Sequence, residues 1–159
     1  MKVRHDMIVC YIVRPAERAG SYEFLQLRRV PSDFMGGTWQ TVSGRIEESE
    51  KAWEAALREL REEAGLTPIE FYQLDYVETF YIAKDDTLWQ RPGFCAIVGR
   101  DQVVTLNEEH DDFRWVLRKE VDESFMWPGE RAAIGELCRE ILDDGRSKPF
   151  LRIDLPRPA

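Results

Sequence analysis

The stretch Gly44–Leu66, "GRIEESEKAWEAALRELREEAGL", decides how the chain reads. A helix is expected from about Glu50 to Ala64, with Ser49 as N-cap, Gly65 just past the C-terminus and Pro68 beyond it. On a helical wheel at ~100° per residue, Trp53, Ala56, Leu57, Leu60 and Ala64 share one arc and form the core face. Glu50, Glu54, Arg58 and Arg61 lie opposite, as a solvent face or an ion-pair ladder at i, i+4 steps. The third arc carries Glu59, Glu62 and Glu63, with Ala52 and Ala55 above them, so that small residues leave room beside three carboxylates. Like charges at this spacing cost about 0.2–0.5 kcal/mol per pair. The C-terminal half of a helix also disfavours anions. Two readings follow: a solvated acidic face, or a cation site whose all-oxygen donors suit Mg²⁺ or Mn²⁺ rather than Zn²⁺.

Around this stretch the pattern alternates between strands and two helices. "VRHDMIVCYIV" reads as a buried strand, "YEFLQLRR" as a second and "TWQTVSG" as a short third. Residues 69–83 are rich in aromatic and β-branched types, and "TLWQRPGFCAIVGR" is a strand with a bulge or edge at its Pro-Gly. "FRWVLR" is a short strand, and a second helix runs from about Pro128 to Asp143 with Ala133, Ile134, Leu137, Cys138, Ile141 and Leu142 as its apolar stripe. The tail after Gly145 is expected to pack loosely. The fold class is α/β, a sandwich on a mixed β-sheet.

The 159 residues fit one domain, 1–159. The net charge of −8 argues against a nucleic-acid polymer as partner, while a small anion can still be held through a cation. Cys10, Cys95 and Cys138 sit apart among apolar residues, as buried small hydrophobes in a reducing compartment. The longest apolar run, Met7–Val13, is too short to span a bilayer, so a cytoplasmic protein without a membrane partner is expected.

From Gly44 the spacing matches G-x5-E-x7-R-E-U-x-E-E-x-G-U, U being a large aliphatic residue, and every fixed position is filled: Gly44, Glu50, Arg58, Glu59, Leu60, Glu62, Glu63, Gly65 and Leu66. This resembles the Nudix box. The flanking strands and second helix also resemble that family's α/β/α sandwich. The resemblance implies hydrolysis of a phosphoanhydride with Mg²⁺ or Mn²⁺ as cofactor. It implies metal ligation by Glu59, Glu62, Glu63 and the Ser43 carbonyl, with Gly44, Glu50, Arg58 and Gly65 structural. A further carboxylate is expected from "LNEEHDDFRWV", which is similar to a stretch of the bacterial dihydroneopterin triphosphate (dATP) pyrophosphohydrolases; His110 and Trp115 then select Glu109. Glu59 or Glu109 would be the catalytic base, and His110 a packed histidine.

The resemblance therefore implies an enzyme converting a nucleoside triphosphate-like substrate (dATP, another dNTP or NTP, or dihydroneopterin triphosphate) to monophosphate and pyrophosphate. The rivals are a diadenosine polyphosphate or nucleotide-sugar hydrolase, and a non-catalytic nucleotide-sensing domain. Arg28 or Arg29 would meet phosphate, Trp39, Phe80 or Trp89 would stack on a ring, and Gln40 would bond a ring edge. The expected partner is a small nucleotide-like molecule, and the expected assembly a monomer or homodimer.

Overall fold

The computed structural model describes residues 1–157. Eight strands form one mixed sheet: β1 (Lys2–Arg4), β2 (Met7–Pro15), β3 (Tyr22–Arg29), β4 (Trp39–Gln40), β5 (Val42–Arg45), β6 (Glu70–Ile82), β7 (Thr87–Ile97) and β8 (His110–Leu117). The main path is β1-β7-β2-β3-β4; β5 pairs with β2, β6 with β7, and β8 with β3. Pairs β1/β7 and β2/β7 are parallel and the others antiparallel.

The helices are α1 (Ala52–Ala64), α2 (Val121–Ser124), α3 (Pro128–Leu137) and α4 (Lys148–Leu151). β2 shows why the sheet is covered on both faces. Ile8, Cys10 and Ile12 pack with Ala55, Ala56, Leu60 and Ala64 of α1. Val9, Tyr11 and Val13 point the other way, to Ala133, Ile134 and Leu137 of α3. Such a strand reads as a continuous apolar run. All three cysteines are buried and free.

Several expectations are corrected. The first strand is two, broken at His5–Asp6, where Arg4 pairs with Asp6. α1 starts at Ala52, not Glu50; Lys51 is its N-cap, and Ser49 stands in a left-handed turn at φ 69°. Ala55 is fully buried and Ala52 packs on the core, so these small residues let α1 lie close to the sheet and do not open space. α2 was not foreseen; at four residues it is too short to show a period. The second helix reaches Leu137 as α-helix and continues as a π segment, Cys138–Leu142, keeping its apolar stripe buried. The tail docks: Leu151 is buried, Ile153 N–H donates to Phe71 O at 2.8 Å, and Arg152 bridges to Tyr72. The bulge or edge expected at Pro92–Gly93 is not in that strand: β7 lies between β2 and β6 and keeps register with β2 from Gly93 to Ile97, while the extra residues sit on β6, between Gln73 and Val77, opposite Gly93. Among the described residues no helix is long and apolar enough to cross a membrane.

Candidate active site

α1 is fixed at both ends by backbone chemistry. Glu54 accepts the Lys51 amide at 2.8 Å, the returning half of a capping box. This occupies Glu54, so the expected Glu54–Arg58 rung gives way to another arrangement. Gly65 at φ 68° donates to Arg61 O, a left-handed stop open to glycine at little steric expense. β5 then runs against the helix so closely that a Cβ on Gly44 would lie 2.1 Å from Glu59 Oε1. Gly44 is thus the notch through which the Glu59 carboxylate crosses the strand.

Arg58 is the hub. Its Nε and Nη2 donate to the two oxygens of Glu50 at 2.8 and 2.9 Å, and Nη2 also reaches Arg45 O at 2.8 Å. Nη1 donates to Glu59 Oε1 at 2.8 Å and Glu62 Oε2 at 3.3 Å. On the wheel Arg58 falls away from the carboxylate arc, but its long side chain sweeps round the helix and joins the two faces. The fork holds the Glu50 carboxyl below its ordinary range.

The carboxylate arc divides by depth. Glu62 is exposed, Glu59 largely covered and Glu63 only 5% exposed. Glu63 Oε2 is buried with no hydrogen-bond partner. Burial, reinforced by Glu59 and Glu109, pushes the Glu63 carboxyl up to about 9, against the lowering pull of Arg29 and the Ser43 backbone. Burial also raises Glu59, opposed by Arg58 and reinforced by Glu62 and Glu109. Glu109 is exposed just before β8; Asn107 ties its carboxylate and amide at 3.1 Å each, and its carbonyl accepts from Val30. It faces both Glu59 and Glu63 across the gap. His110 is buried, its Nδ1 without a partner, and burial followed by Arg29 lowers its basicity.

Successive residues of β3 point to opposite faces. Arg29 faces α1 and Glu63, held by Gln40 Oε1 at 2.8 Å and Asp33 Oδ2 at 2.6 Å. Gln40 in turn donates to Thr38. Arg28 faces the other way and pairs with Asp111 and Asp112. On its side Trp39 lies with the guanidinium of Arg114 at 4.2 Å and of Arg28 at 5.7 Å from its ring centroid. Arg114 donates to the buried Gln26, which donates to Ser124 O. Sequence reasoning missed Gln26 and Arg114; the available signal was a lone amide inside the apolar "FLQL". Phe80 and Trp89 stack at 6.4 Å with Arg4 and Arg91 over them, apart from the Trp39 group.

The residues fit a divalent cation. Glu63 is a buried carboxylate with an orphaned oxygen, flanked by two further carboxylates, and the donors are all oxygen. As the side chains stand, no group of three or more His, Cys, Asp or Glu among the described residues converges on one point. Arg58 takes up oxygens of both Glu59 and Glu62.

Comparison with known proteins agrees with this geometry. The NUDIX domain family model matches residues 3–137. The nucleoside triphosphatase NudI of Klebsiella pneumoniae is 31% identical over 121 residues, 72% of this chain and 83% of that protein. An octanoyltransferase of Myxococcus xanthus is 42% identical over 94 residues, 58% of this chain; the match spans only 26% of that protein's length. A NUDIX hydrolase structure from Listeria monocytogenes shares the fold at a TM-score of 0.71 and 24% identity, covering 88% of this chain and 96% of that one. With the box complete from Gly44 on β5 through α1 to Leu66 and the sheet arranged around it, the chain belongs to the NUDIX domain family, the family of Nudix hydrolases.

Proposed function

We propose that the chain hydrolyses a phosphoanhydride bond in a small nucleoside triphosphate-like substrate, releasing pyrophosphate and a monophosphate. The single observation that carries this is Glu63, buried and half-unpartnered beside Glu59 on a complete box helix. In this reading Glu59, Glu62, Glu63, Glu109 and the Ser43 carbonyl hold Mg²⁺ or Mn²⁺. When bound, the ion supplies charge neutralisation at the phosphate oxygens and acidifies the attacking water.

The chain's own residues do the rest. Arg58, anchored on Glu50 and Arg45 O, fixes the direction of Glu59 through the Gly44 notch. Glu59 or Glu109 takes the proton from the attacking water, since both carboxylates border the same gap. Arg29, held in place by Gln40 and Asp33, offers its charge to the phosphate chain. Trp39, fixed among Arg28 and Arg114, offers an aromatic edge to the ring of the substrate on the opposite sheet face. The expected substrates are dATP, other dNTPs or NTPs, or dihydroneopterin triphosphate, met in the cytoplasm by a monomer or homodimer.

A panel of these triphosphates, diadenosine tetraphosphate and a nucleotide sugar, with separate detection of phosphate and pyrophosphate, tests the proposal. Pyrophosphate from a triphosphate supports it. Turnover confined to the dinucleotide or the sugar replaces the substrate class, and tight nucleotide binding without turnover makes the chain a sensor. Folded Glu63→Gln with near-normal Mg²⁺-dependent turnover would sink the assignment of the site.

A further inference from the structure

On the sheet face away from α1, a second group of buried polar side chains lies outside the site described above. Tyr11 of β2, Glu78 of β6 and Glu130 of α3 are exposed by only 1%, 5% and 4%. Arg91 of β7 directs both Nε, at 2.9 Å, and Nη2 to the same oxygen of Glu78. The Tyr11 hydroxyl is buried without a partner. The first turn of α3 sits directly on this cluster: a Cβ on Gly129 would lie 2.4 Å from Glu78 Oε1. Glu130 is the third residue of α3, and its carboxylate takes up the backbone of the N-cap residue Trp127.

Two buried carboxylates therefore share one tightly bound guanidinium, and that guanidinium is committed to Glu78. Facing Glu130 are Glu78 from β6, Arg91 from β7, Tyr11 from β2 and Arg131 from its own helix; Tyr76 of β6 faces Tyr11. Two ionised carboxylates in such a volume repel, and a proton on one removes the repulsion. Protonated Glu130 also becomes a donor among acceptors that include the orphan Tyr11 hydroxyl.

The segment before α3 hangs on that turn. Arg131 Nη1 donates to the carbonyls of Phe125 and Met126, both at 2.8 Å, and Arg131 N–H donates to Trp127 O at 3.1 Å. Phe125 is buried, while Met126 and Trp127 are 47% and 45% exposed. The neighbouring Ser124 carbonyl receives Gln26, the inner end of the Gln26–Arg114–Trp39 chain.

We propose that Tyr11, Glu78, Arg91 and Glu130 form a proton-operated latch that seats the first turn of α3 and so positions the Phe125–Trp127 segment beside the Ser124–Gln26–Arg114 chain. With Glu130 protonated the turn is seated; on deprotonation the repulsion from Glu78 lifts it and the segment loosens. Burial, with Glu78 adding to it and Arg91 opposing, places the Glu130 carboxyl at about 7. This inference rests on the fold and not on the proposed reaction.

The test is hydrogen exchange of the amides of residues 125–131 in the full-length protein from about pH 5.5 to 8.5, corrected for intrinsic exchange, beside a ¹³C titration of the Glu130 carboxyl. The expected result is a carboxyl midpoint near neutrality and a loss of protection of about thirtyfold across the range, the roughly 1.5 pH units between its lower end and that midpoint. Glu130→Gln is expected to hold protection constant with pH. A carboxyl that titrates in the ordinary range, protection that ignores pH, or the same pH dependence in Glu130→Gln would each overturn the latch. Should Glu130→Gln fail to fold, the carboxyl titration and wild-type exchange decide alone.

Discussion

At the scale of single residues, Gly44 and Arg58 carry the most checkable consequences. Gly44→Ala drives a methyl into Glu59, whose Oε1, Cδ and Cγ would lie within 2.6 Å of it. Glu59 must leave its path, and in its proposed role a displacement of about 1 Å costs on the order of 10²-fold in rate. The expected outcome is a folded protein with turnover down about 10²-fold, read by steady-state kinetics beside circular dichroism. Arg58→Ala leaves Glu50, 14% exposed, without its bidentate partner. An abandoned charged group of this kind costs about 1–3 kcal/mol, expected in urea denaturation; Arg58→Lys recovers less than half, since an ammonium cannot reproduce the fork. The roles of these two residues were only partly legible in the sequence. The box spacing named them as fixed positions, whereas Gly44's purpose lies in a neighbour fifteen positions along the chain that the fold brings against it. A wheel shows where a Cα–Cβ bond points and not how far a long side chain wraps, which is why Arg58 was set apart from Glu59 and Glu62.

At the scale of elements, helix stops and strand faces were readable because they are local. Gly65 was assigned to the C-terminal stop of α1, and its φ of 68° bears this out. Gly65→Ala forces a Cβ into that conformation, 3.0 Å from Thr105 Cβ, and is expected to destabilise by about 1–2 kcal/mol. Equilibrium denaturation checks this, and an unchanged midpoint would mean that the last turn frays without consequence. The helix start was misplaced because Ser49 is a favoured cap type by itself, while the chain caps α1 with Glu54 returning to the Lys51 amide. The tail was misjudged for a related reason. Two late prolines read as loose chain, yet Ile153 still donates its amide to Phe71 O and packs with Leu155 on the α1 side of the core. Long-range pairing of this kind leaves no period in the sequence.

At the scale of the whole molecule, stability is coupled to charge at two buried carboxylates on opposite faces of one sheet. Glu130 is raised from 4.5 to about 7, so folding favours its neutral form. The sign follows: the native state binds more protons than the unfolded state between those values, and stability falls as pH rises through the interval, then levels off. At about 1.4 kcal/mol per unit the full effect is roughly 3 kcal/mol, or about 6–12 °C in Tm for a chain of this size. Thermal denaturation at about pH 5 and 8 in a chelator should show at least this fall in the wild type, since Glu63, raised to about 9, adds to it with the same sign, and a smaller one in Glu130→Gln. On the α1 face the expected compensation comes from a cation. A ligand at a hundred times its Kd stabilises by about 2.7 kcal/mol, so Mg²⁺ in that excess at about pH 8 should raise Tm by roughly 5–10 °C. Glu63→Gln should abolish most of that increment while leaving the Glu130-dependent fall intact, because the helices that carry the two carboxylates, α1 and α3, pack on separate cores. A Mg²⁺ increment that survives Glu63→Gln would place the cation elsewhere, and loss of both effects together would show that the two faces are coupled through β2.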